Sequence, residues 1–269
     1  MDGIQIRFAE PNDAAQIADL FANGFRPDVR QLLVYGCKGA AEYIRMQLAS
    51  GIPAAESAYF VAQTRHGIAG AVDLRRSTHR LFLNYIAVDP SHRGQGVGAM
   101  LFSAALGMSG VSSGEFVLDV LHDNARALQW YSRLGFLART SAEFVEIGPP
   151  GDLDEEPAYV SGLPQADLCQ ERFGFSKFDL ITGQGTFSVG RIGDAWFRLT
   201  DSAALASPAV FAALDRLDPR RRIFAVLPDS AAPPAQVVRL LAKTHRMEAE
   251  IPRLMSAQYH DCQKSPELV

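Results

Sequence analysis

The fold of this chain is decided by the stretch Val88-Asp89-Pro90-Ser91-His92-Arg93-Gly94-Gln95-Gly96-Val97-Gly98-Ala99. It follows an apolar run of strand formers, Leu81 to Val88, and precedes an apolar helical run, Val97 to Leu106. The three glycines remove side chains from a turn that leads directly into a helix. Backbone amides can therefore surround an anion at the positive end of the helix dipole. The stretch predicts a loop that binds pyrophosphate.

Two kinds of pyrophosphate site fit part of this stretch. Taken alone, Gly94-x-Gly96-x-x-Ala99 satisfies the dinucleotide fingerprint, and Asp119 lies about where a ribose-binding acid would follow on the next strand. However, the dinucleotide turn follows its strand directly and opens its domain. Here Asp89 to Arg93 intervene, and about 80 residues of patterned chain come first. A dinucleotide-dependent oxidoreductase is therefore the disfavoured alternative.

The stretch resembles more closely the Gcn5-related N-acetyltransferase (GNAT) superfamily, and the resemblance extends over roughly residues 4 to 147. Arg93 to Gly98 fit the family pattern Gln/Arg-x-x-Gly-x-Gly/Ala, and Asn84 to Pro90 resemble the family's fourth strand. A second block, from Asn124 to Phe136, resembles the family segment Asn-x-x-Ala-x-x-x-Tyr-x-x-x-Gly-Phe. Two blocks in this order, separated by one helix and one strand, are more specific than a glycine run alone.

Length and composition limit the class of protein. The chain has 269 residues, of which 48% are apolar and 21% charged, which predicts a globular protein with two domains of unequal size. The net charge of −4 argues against nucleic acid or an anionic membrane as a partner. No run approaches the roughly 18 apolar residues of a membrane span, and the N-terminus does not resemble a signal peptide. The three scattered cysteines favour no disulfide framework, so we expect a protein of the reducing cytoplasm.

Hydrophobic periodicity predicts an α/β protein built on a mixed sheet. The first domain is expected over residues 1–147. Its predicted strands are 4–8, 59–63, 68–74, 81–88, 116–121 and 144–147, and its helices are 10–21, 39–49, 97–108 and 125–133. This order of elements is the one that the GNAT resemblance implies.

Glycine, proline and acidic residues without hydrophobic periodicity predict a linker over 148–157. A second, smaller α/β domain is expected over 158–257, with a disordered tail over 258–269. Its predicted helices are 165–172, 208–217 and 234–244, and its strands are 177–182, 186–199, 223–227 and 251–255. Because its layout resembles that of residues 116–136, we interpret this domain as a degenerate, non-catalytic repeat of the GNAT fold. An unrelated small α/β module is the alternative.

The resemblance implies that acetyl-CoA is bound as a co-substrate. Two splayed strands would hold its pantetheine arm against the backbone of the fourth strand, much as an added strand is held. Asn124 would bond the same arm and also cap the following helix. Arg93 either adds a positive charge near the phosphates or is a solvated loop residue. The expected cofactor-binding residues are Ile86, Ala87, Val88, Arg93, Gly94, Gln95, Gly96, Val97, Gly98, Ala99 and Asn124.

The resemblance also implies the catalytic residues. Tyr131 lies seven residues after Asn124, about two helical turns, and would protonate the departing thiolate as a general acid. Alternatively, Tyr131 is an aromatic residue of the core without a catalytic role. Asp119 lies where related enzymes carry a glutamate base on this strand, although it could equally form a structural pair with an arginine. His122 and Asp123 flank the same position and are further candidates.

The expected reaction is direct transfer of an acetyl group to a primary amine, since no cysteine lies near the glycine turn to form an acyl-enzyme. The acceptor is expected to be a small molecule or a peptide, and a homodimer is possible. The six histidines show no metal-ligand spacing, so no metal is expected. The alternative function is a non-catalytic acyl-CoA-binding regulatory module. Fold does not name the acceptor, because one scaffold hosts many substrates.

Overall fold

A computed structural model describes residues 3–49, 57–150, 157–229 and 236–256 of the chain. By its internal contacts the chain divides into two compact units. The first comprises residues 1–24, 43–139 and 245–269, and the second comprises residues 25–42 and 140–244. This division differs from the sequence-based domains in three segments, because 25–42 and 140–147 belong to the second unit and 245–256 to the first. Residues 151–156 of the expected linker and the whole expected tail lie outside the described residues.

The first unit contains a mixed sheet whose strand order is β1-β2-β3-β4-β5-β12. Neighbouring strands from β1 to β4 are antiparallel, whereas β4 and β5 are parallel. The elements are β1 (Gln5–Phe8), α1 (Ala14–Asn23), α3 (Ala40–Ala49), β2 (Ser57–Thr64), β3 (Gly67–Ser77), β4 (Arg80–Val88), α4 (Val97–Met108), β5 (Glu115–Leu121) and α5 (Ala125–Arg133). A short helix, α2 (Pro27–Arg30), belongs to the second unit.

The core of the first unit lies between the sheet and the helices α4 and α5. Phe102 of α4, Phe116 of β5 and Phe136 form an aromatic cluster with ring centroids 5.2 to 6.0 Å apart. Leu118 and Val120 on β5 join the same cluster, so alternate side chains of this strand face α4 and α5. This packing fixes the two helices that follow the glycine turn and Asn124.

The second unit repeats the order of the first in a shorter form. Its elements are β7 (Tyr159–Ser161), α6 (Leu163–Phe173), β8 (Phe175–Thr182), β9 (Gly185–Ile192), β10 (Trp196–Leu199), α7 (Pro208–Leu217) and β11 (Arg222–Pro228). As in the first unit, three antiparallel connections are followed by a helix and a parallel strand pair, here β10 and β11. This topology is the one expected for a repeat of the GNAT fold.

Two strands have residues assigned to both units. Residues 137–139 of β6 (Leu137–Ile147) belong to the first unit and the rest to the second, whereas β12 (Val237–Glu250) belongs to the second unit up to Thr244 and to the first from His245. The predicted helix over 234–244 is wrong, because the described part of this segment is the first half of β12. The predicted strand over 251–255 is also wrong, since residues 251–256 are helical. Helix-forming residue types in 237–244 were outweighed by strand pairing, since propensity is a weak prior against tertiary context.

Most other predicted elements are confirmed within a few residues at their ends. The strand expected over 186–199 is divided into β9 and β10, β6 begins earlier than expected, and β7 and α2 were not predicted. None of the helices within the described ranges is long and apolar enough to cross a membrane.

Candidate active site

The parallel strands β4 and β5 separate partway along their length. The two strands pair over four residues, from the pair Arg80–Glu115 to the pair Leu83–Leu118. Beyond this pairing, β4 continues to Val88 and β5 to Leu121. Beyond Leu83 the two strands therefore flank a gap. One edge of Ile86, Ala87 and Val88 is open toward this gap, while β3 pairs with their other edge.

A β-bulge lies where the gap begins. The register between β3 and β4 shifts so that Asp73 is opposite Tyr85 while Leu74 is opposite Leu83, which leaves Asn84 as the additional residue. The amide of Asn84 donates a hydrogen bond from Nδ2 to Oδ2 of Asp73, at 2.5 Å, and Asp73 is fully buried. Bulges bend and twist a strand, so this pair fixes the point at which β4 turns away from β5.

The glycine turn lies at the open end of this gap. Gly94 and Gly96 have φ values of 79° and 81°, in the left-handed region that favours glycine, and Val97 begins α4. A Cβ built on either glycine would meet no protein atom within 4 Å, so both face open space. The amide of Met100 donates to the carbonyl of Gly96 at 3.0 Å, so the amides that precede it at the start of α4 have no partner one turn back.

The segment that leads into the turn is fixed by local hydrogen bonds. The carboxylate of Asp89 accepts from the side chain and backbone amide of Ser91, and these bonds lower the pKa of Asp89. The guanidinium of Arg93 donates from Nε to the carbonyl of Val88 at 3.1 Å. The side-chain amide of Gln95 donates from Nε2 to the carbonyl of Ser91 at 3.0 Å. Arg93 is exposed, so its charge lies beside the turn and the last residue of β4.

The remaining residues of the turn anchor it to the core. Val97 is buried in the first unit's core, whereas Gly98 is half-buried and Ala99 exposed. A Cβ on Gly98 would lie 3.6 Å from the Val88 side chain and 3.9 Å from Trp130 of α5, which are ordinary contacts. The start of α4 therefore lies against both β4 and α5.

Asn124 and Tyr131 lie at the start and near the end of α5. Asn124 caps the helix, since its side-chain oxygen accepts from the amide of Ala127 at 3.1 Å, as expected from the sequence. Tyr131 is 6% exposed, and its ring packs on Trp130 and Phe136. Burial raises the pKa of its phenol above the ordinary value, and its hydroxyl forms no hydrogen bond to any described residue. The phenol therefore keeps its proton.

Asp119 forms the arginine pair that the sequence left open as its alternative. Its Oδ1 and Oδ2 accept from Nε and an Nη of Arg246 at 2.8 and 2.7 Å. Arg246 is in the part of β12 that belongs to the first unit, and its hydrogen bond to Asp119 raises the pKa of the guanidinium. Sequence reasoning did not identify Arg246, because 127 residues separate the two side chains.

A second contact joins the same two segments. Nδ1 of His122, directly after β5, lies 2.7 Å from Nε2 of His245 in β12. No group of three or more potential metal ligands occurs in the part of the chain that the structure describes. The two imidazoles are therefore a hydrogen-bonded pair, in which one ring donates and the other accepts.

The acid and base candidates lie on opposite faces of the sheet. Tyr131 belongs to the cluster formed with Leu118 and Val120, on the face covered by α4 and α5. Asp119 lies between these residues on β5, so its side chain projects to the other face. The two candidates therefore lie on opposite sides of β5, with Tyr131 in the core and Asp119 on the other face.

The corresponding region of the second unit lacks such a site. β10 and β11 are registered along the whole length of β10, and the segment 200–207 between β10 and α7 contains no glycine. α7 begins with Pro208, which has no amide hydrogen to offer an anion. This unit therefore has the topology without the anion-binding turn.

Comparison with known proteins agrees with this fold. The whole-chain fold is similar to that of a tandem GNAT protein from the clavulanic acid biosynthesis pathway, solved without AcCoA, at 13% identity and a TM-score of 0.62. That match covers 93% of this chain and 99% of that one. It is also similar to a GCN5-related N-acetyltransferase from Sphaerobacter thermophilus, at 15% identity and a TM-score of 0.61, covering 92% and 96%. The comparison with curated proteins found no match.

At such identities the structural likeness concerns the fold, whereas the sequence match concerns the family. Residues 55–137 match the acetyltransferase (GNAT) domain model. This range contains β2 to α5, and hence the gap, the glycine turn, Asp119 and Tyr131. Residues 55–137 are therefore a GNAT acetyltransferase domain, and the fold of the whole chain is similar to that of a tandem GNAT protein. The dinucleotide alternative is wrong, because the glycine turn is part of this domain.

Proposed function

We propose that this protein is an N-acetyltransferase that moves an acetyl group from acetyl-CoA directly to a primary amine. The observation that carries the proposal is the gap between β4 and β5 with the glycine turn at its open end. The open strand edge, the helix-start amides and the buried phenol all belong to the segment that matches the GNAT domain, which supports the proposal.

The residues present fit acetyl-CoA. A pyrophosphate suits the amides from Gln95 to Ala99, where Gly94 and Gly96 leave open space and the dipole of α4 favours an anion. The amide groups of a pantetheine arm suit the open edge of Ile86, Ala87 and Val88. Asn124 uses one oxygen lone pair as a cap and retains its amide hydrogens for the same arm. Acetyl-CoA supplies the acetyl group as a thioester.

We assign the acid step to Tyr131. As the amine nitrogen bonds to the acyl carbon, the carbon–sulfur bond breaks and Tyr131 donates its phenolic proton to the sulfur. The raised pKa of the phenol keeps that proton in place until a thiolate forms nearby. Contacts with the rings of Trp130 and Phe136 hold the ring in position.

We assign the base step to Asp119. Arg246 occupies one lone pair on each carboxylate oxygen, and each oxygen retains another lone pair for an amine proton. The proton lost by the amine thus passes to Asp119 from the face opposite Tyr131. His122 stays the second candidate for this step.

Direct transfer is favoured over an acyl-enzyme because the described cysteines, Cys37 and Cys169, both belong to the second unit. An acyl-enzyme requires a nucleophile within reach of the thioester.

The test is calorimetric titration with acetyl-CoA and, as a control, NADH, followed by an assay of thiol release with a panel of primary amines. We expect the protein to bind acetyl-CoA but not NADH. We also expect thiol release to require an amine and to yield the acetylated amine. Binding without transfer to any amine would instead support a regulatory acyl-CoA-binding module. Failure to bind acetyl-CoA would refute both functions.

A further inference from the structure

The ion pair of Asp119 and Arg246 lies where β4 and β5 part. The last registered residues of the two strands are Leu83 and Leu118, so Asp119 is the first residue of β5 that borders the gap. Arg246 comes from β12, the neighbour of β5 on the side away from β4. Its guanidinium nevertheless lies 5.8 Å from the ring centre of Phe82, on β4. The arginine therefore extends across β5 to the strand on the far side.

A ligand can reach both charges. The side chains of Arg246 and Asp119 are 41% and 35% exposed. They lie on the face of the sheet opposite α4 and α5, since the alternate residues Leu118 and Val120 fill the core on the other face. Where the gap begins, that face offers the carboxylate of Asp119, the guanidinium of Arg246 and the ring of Phe82, and Glu248 adds a negative charge near Arg246.

We propose, building on the function proposed above, that the acceptor is a zwitterion whose amine and carboxylate are a few bonds apart, as in an α-amino acid. Its ammonium group meets Asp119, and its carboxylate meets the fork of Arg246, which suits a carboxylate in two-point contact. The internal pair stays in place, because Asp119 engages Nε and one Nη of Arg246 and leaves the edge formed by the two Nη atoms for the acceptor's carboxylate. An amine without a carboxylate would leave Arg246 as a cation beside a cationic substrate.

A purely structural ion pair is the competing interpretation, and the same strand provides a matched control. Arg239 of β12 donates from Nε to Oε2 of Glu146 at 2.7 Å within the second unit, where no such gap occurs among the described residues. If Arg246 only secured β12, its replacement would affect all acceptors alike, as replacement of Arg239 would.

The experiment compares matched acceptors. The twenty amino acids are first screened by mass spectrometry for acetylated product and by calorimetry against protein saturated with CoA. For the best amino acid, kcat/KM is then measured beside its α-amide and its decarboxylated amine, which keep the side chain and remove the carboxylate charge. The proteins are wild type, Arg246→Gln, Arg246→Lys and Arg239→Gln, each with its thermal midpoint recorded.

We expect wild type to prefer the amino acid over its amide by about 10- to 100-fold, the range of a charge-assisted hydrogen-bonded contact. Arg246→Gln should abolish this preference, and Arg246→Lys should retain part of it, because it keeps the charge but not the fork. Arg239→Gln should leave the preference unchanged. The lysine variant keeps the test decisive if the glutamine variant does not fold.

The remaining outcomes are distinct. Equal turnover of amino acid and amide by wild type overturns the inference, as does an equal loss for both acceptors in the folded Arg246 variants. Binding of an amino acid that depends on Arg246, without acetylated product, supports the zwitterion site but refutes catalysis. Neither binding nor turnover of any amino acid overturns the inference, and transfer to other amines would then leave the acetyltransferase proposal intact.

Discussion

His122 and His245 face each other across β5 and β12 of the first unit, with Nδ1 of His122 at 2.7 Å from Nε2 of His245. His122 lies two residues before Asn124, which caps α5 and borders the proposed pantetheine site. The imidazole pair therefore ties the loop that carries Asn124 to a strand from the far end of the chain.

Loss of this contact should weaken acetyl-CoA binding. Replacing either imidazole, by His122→Gln or His245→Gln, removes a hydrogen bond of about 1 kcal/mol and loosens the loop, so we expect Kd to rise by about three- to tenfold. Calorimetry with acetyl-CoA measures this. His79→Gln, an exposed histidine of the same unit, should leave Kd unchanged. An unchanged Kd in both pair variants would show that the contact does not order the loop.

Substitution of Gly96 should separate binding from stability. A Cβ at φ 81° costs roughly 1–2 kcal/mol of backbone strain, and it projects into the space assigned to a pyrophosphate. Gly96→Ala should therefore lower the free energy of unfolding by that amount and raise the Kd for acetyl-CoA about tenfold or more.

The matched control is Gly110→Ala. Gly110 has φ 73°, and its added Cβ also meets nothing within 4 Å, but it lies beyond the other end of α4. Gly110→Ala should lower the free energy of unfolding by a similar amount and leave the Kd for acetyl-CoA unchanged. Equal effects of the two variants on Kd would contradict the assignment of the glycine turn.

The carboxylate of Asp13 should make stability depend on pH. Burial by itself would raise the pKa of Asp13, but hydrogen bonds from Arg7, at 2.6 and 2.9 Å, and from the amide of Glu10 outweigh burial and lower it. A lowered native pKa stabilises the fold above the unfolded value of about 3.9 and ceases to do so as the pH falls through the native value.

Asp13→Asn should therefore cost about 1–3 kcal/mol of unfolding free energy at neutral pH, and the difference from wild type should shrink below about pH 4. Urea denaturation across this range measures both. Asp19→Asn, an exposed residue of α1, should cost little at any pH. A difference independent of pH would refute the ion-pair explanation.

Removal of the Tyr131 hydroxyl should affect turnover alone. Tyr131→Phe keeps the ring packing on Trp130 and Phe136, so stability and the Kd for acetyl-CoA should stay near wild type. The value of kcat should fall by about 10²–10⁴ if the phenol is the general acid. Tyr159→Phe, with an exposed phenol in the second unit, should have no effect.

The pH profile gives a second measure of the same residue. Because burial raises the pKa of Tyr131, the phenol stays protonated through the range near pH 10 in which an unperturbed tyrosine ionises. Wild type should therefore show no alkaline decrease of kcat from this residue below about pH 10. A folded Tyr131→Phe protein with wild-type kcat would remove Tyr131 from the mechanism.

Sequence reasoning succeeded where the determinants are close together in the chain. α4 spans Val97–Met108 as predicted, since a glycine turn precedes it and a mostly apolar run follows. Asn124 also caps α5 as predicted, because a cap depends on residues within one helical turn. The proposed cofactor site is largely made from the continuous segment 86–99, and a single sequence exposes such a site.

Sequence reasoning failed where distant segments meet. Residues 237–244 contain leucine, alanine, lysine and arginine without strict alternation, so they favoured a helix, yet they form part of β12. The partner of Asp119 was left open as some arginine, because no local pattern connects it with Arg246, 127 residues later. The bulge at Asn84 depends on the register between β3 and β4, which pattern alone does not determine.

The C-terminal segment should be indispensable to the first unit. Met247, Ile251 and Leu254 are buried in its core, and the amide of Ile251 donates to the carbonyl of Gly114 at 2.9 Å. A chain that ends near residue 147, the boundary expected from the sequence, would lack these side chains as well as Arg246 and His245.

We expect such a truncated chain to lose cooperative unfolding, because the cavity left by one buried methionine alone costs about 2–5 kcal/mol, a large part of a typical domain's stability. Point variants give the graded measurement. Met247→Ala, at a site 2% exposed, should lose about 2–5 kcal/mol in urea, whereas Met255→Ala, 37% exposed, should lose about 0.5 kcal/mol or less. If the truncated chain unfolded cooperatively and bound acetyl-CoA as the whole chain does, the segment from 245 onward would be an accessory to the first unit. If it does not, the first unit is assembled from both ends of the chain, and it needs the residues that follow the second unit in order to fold.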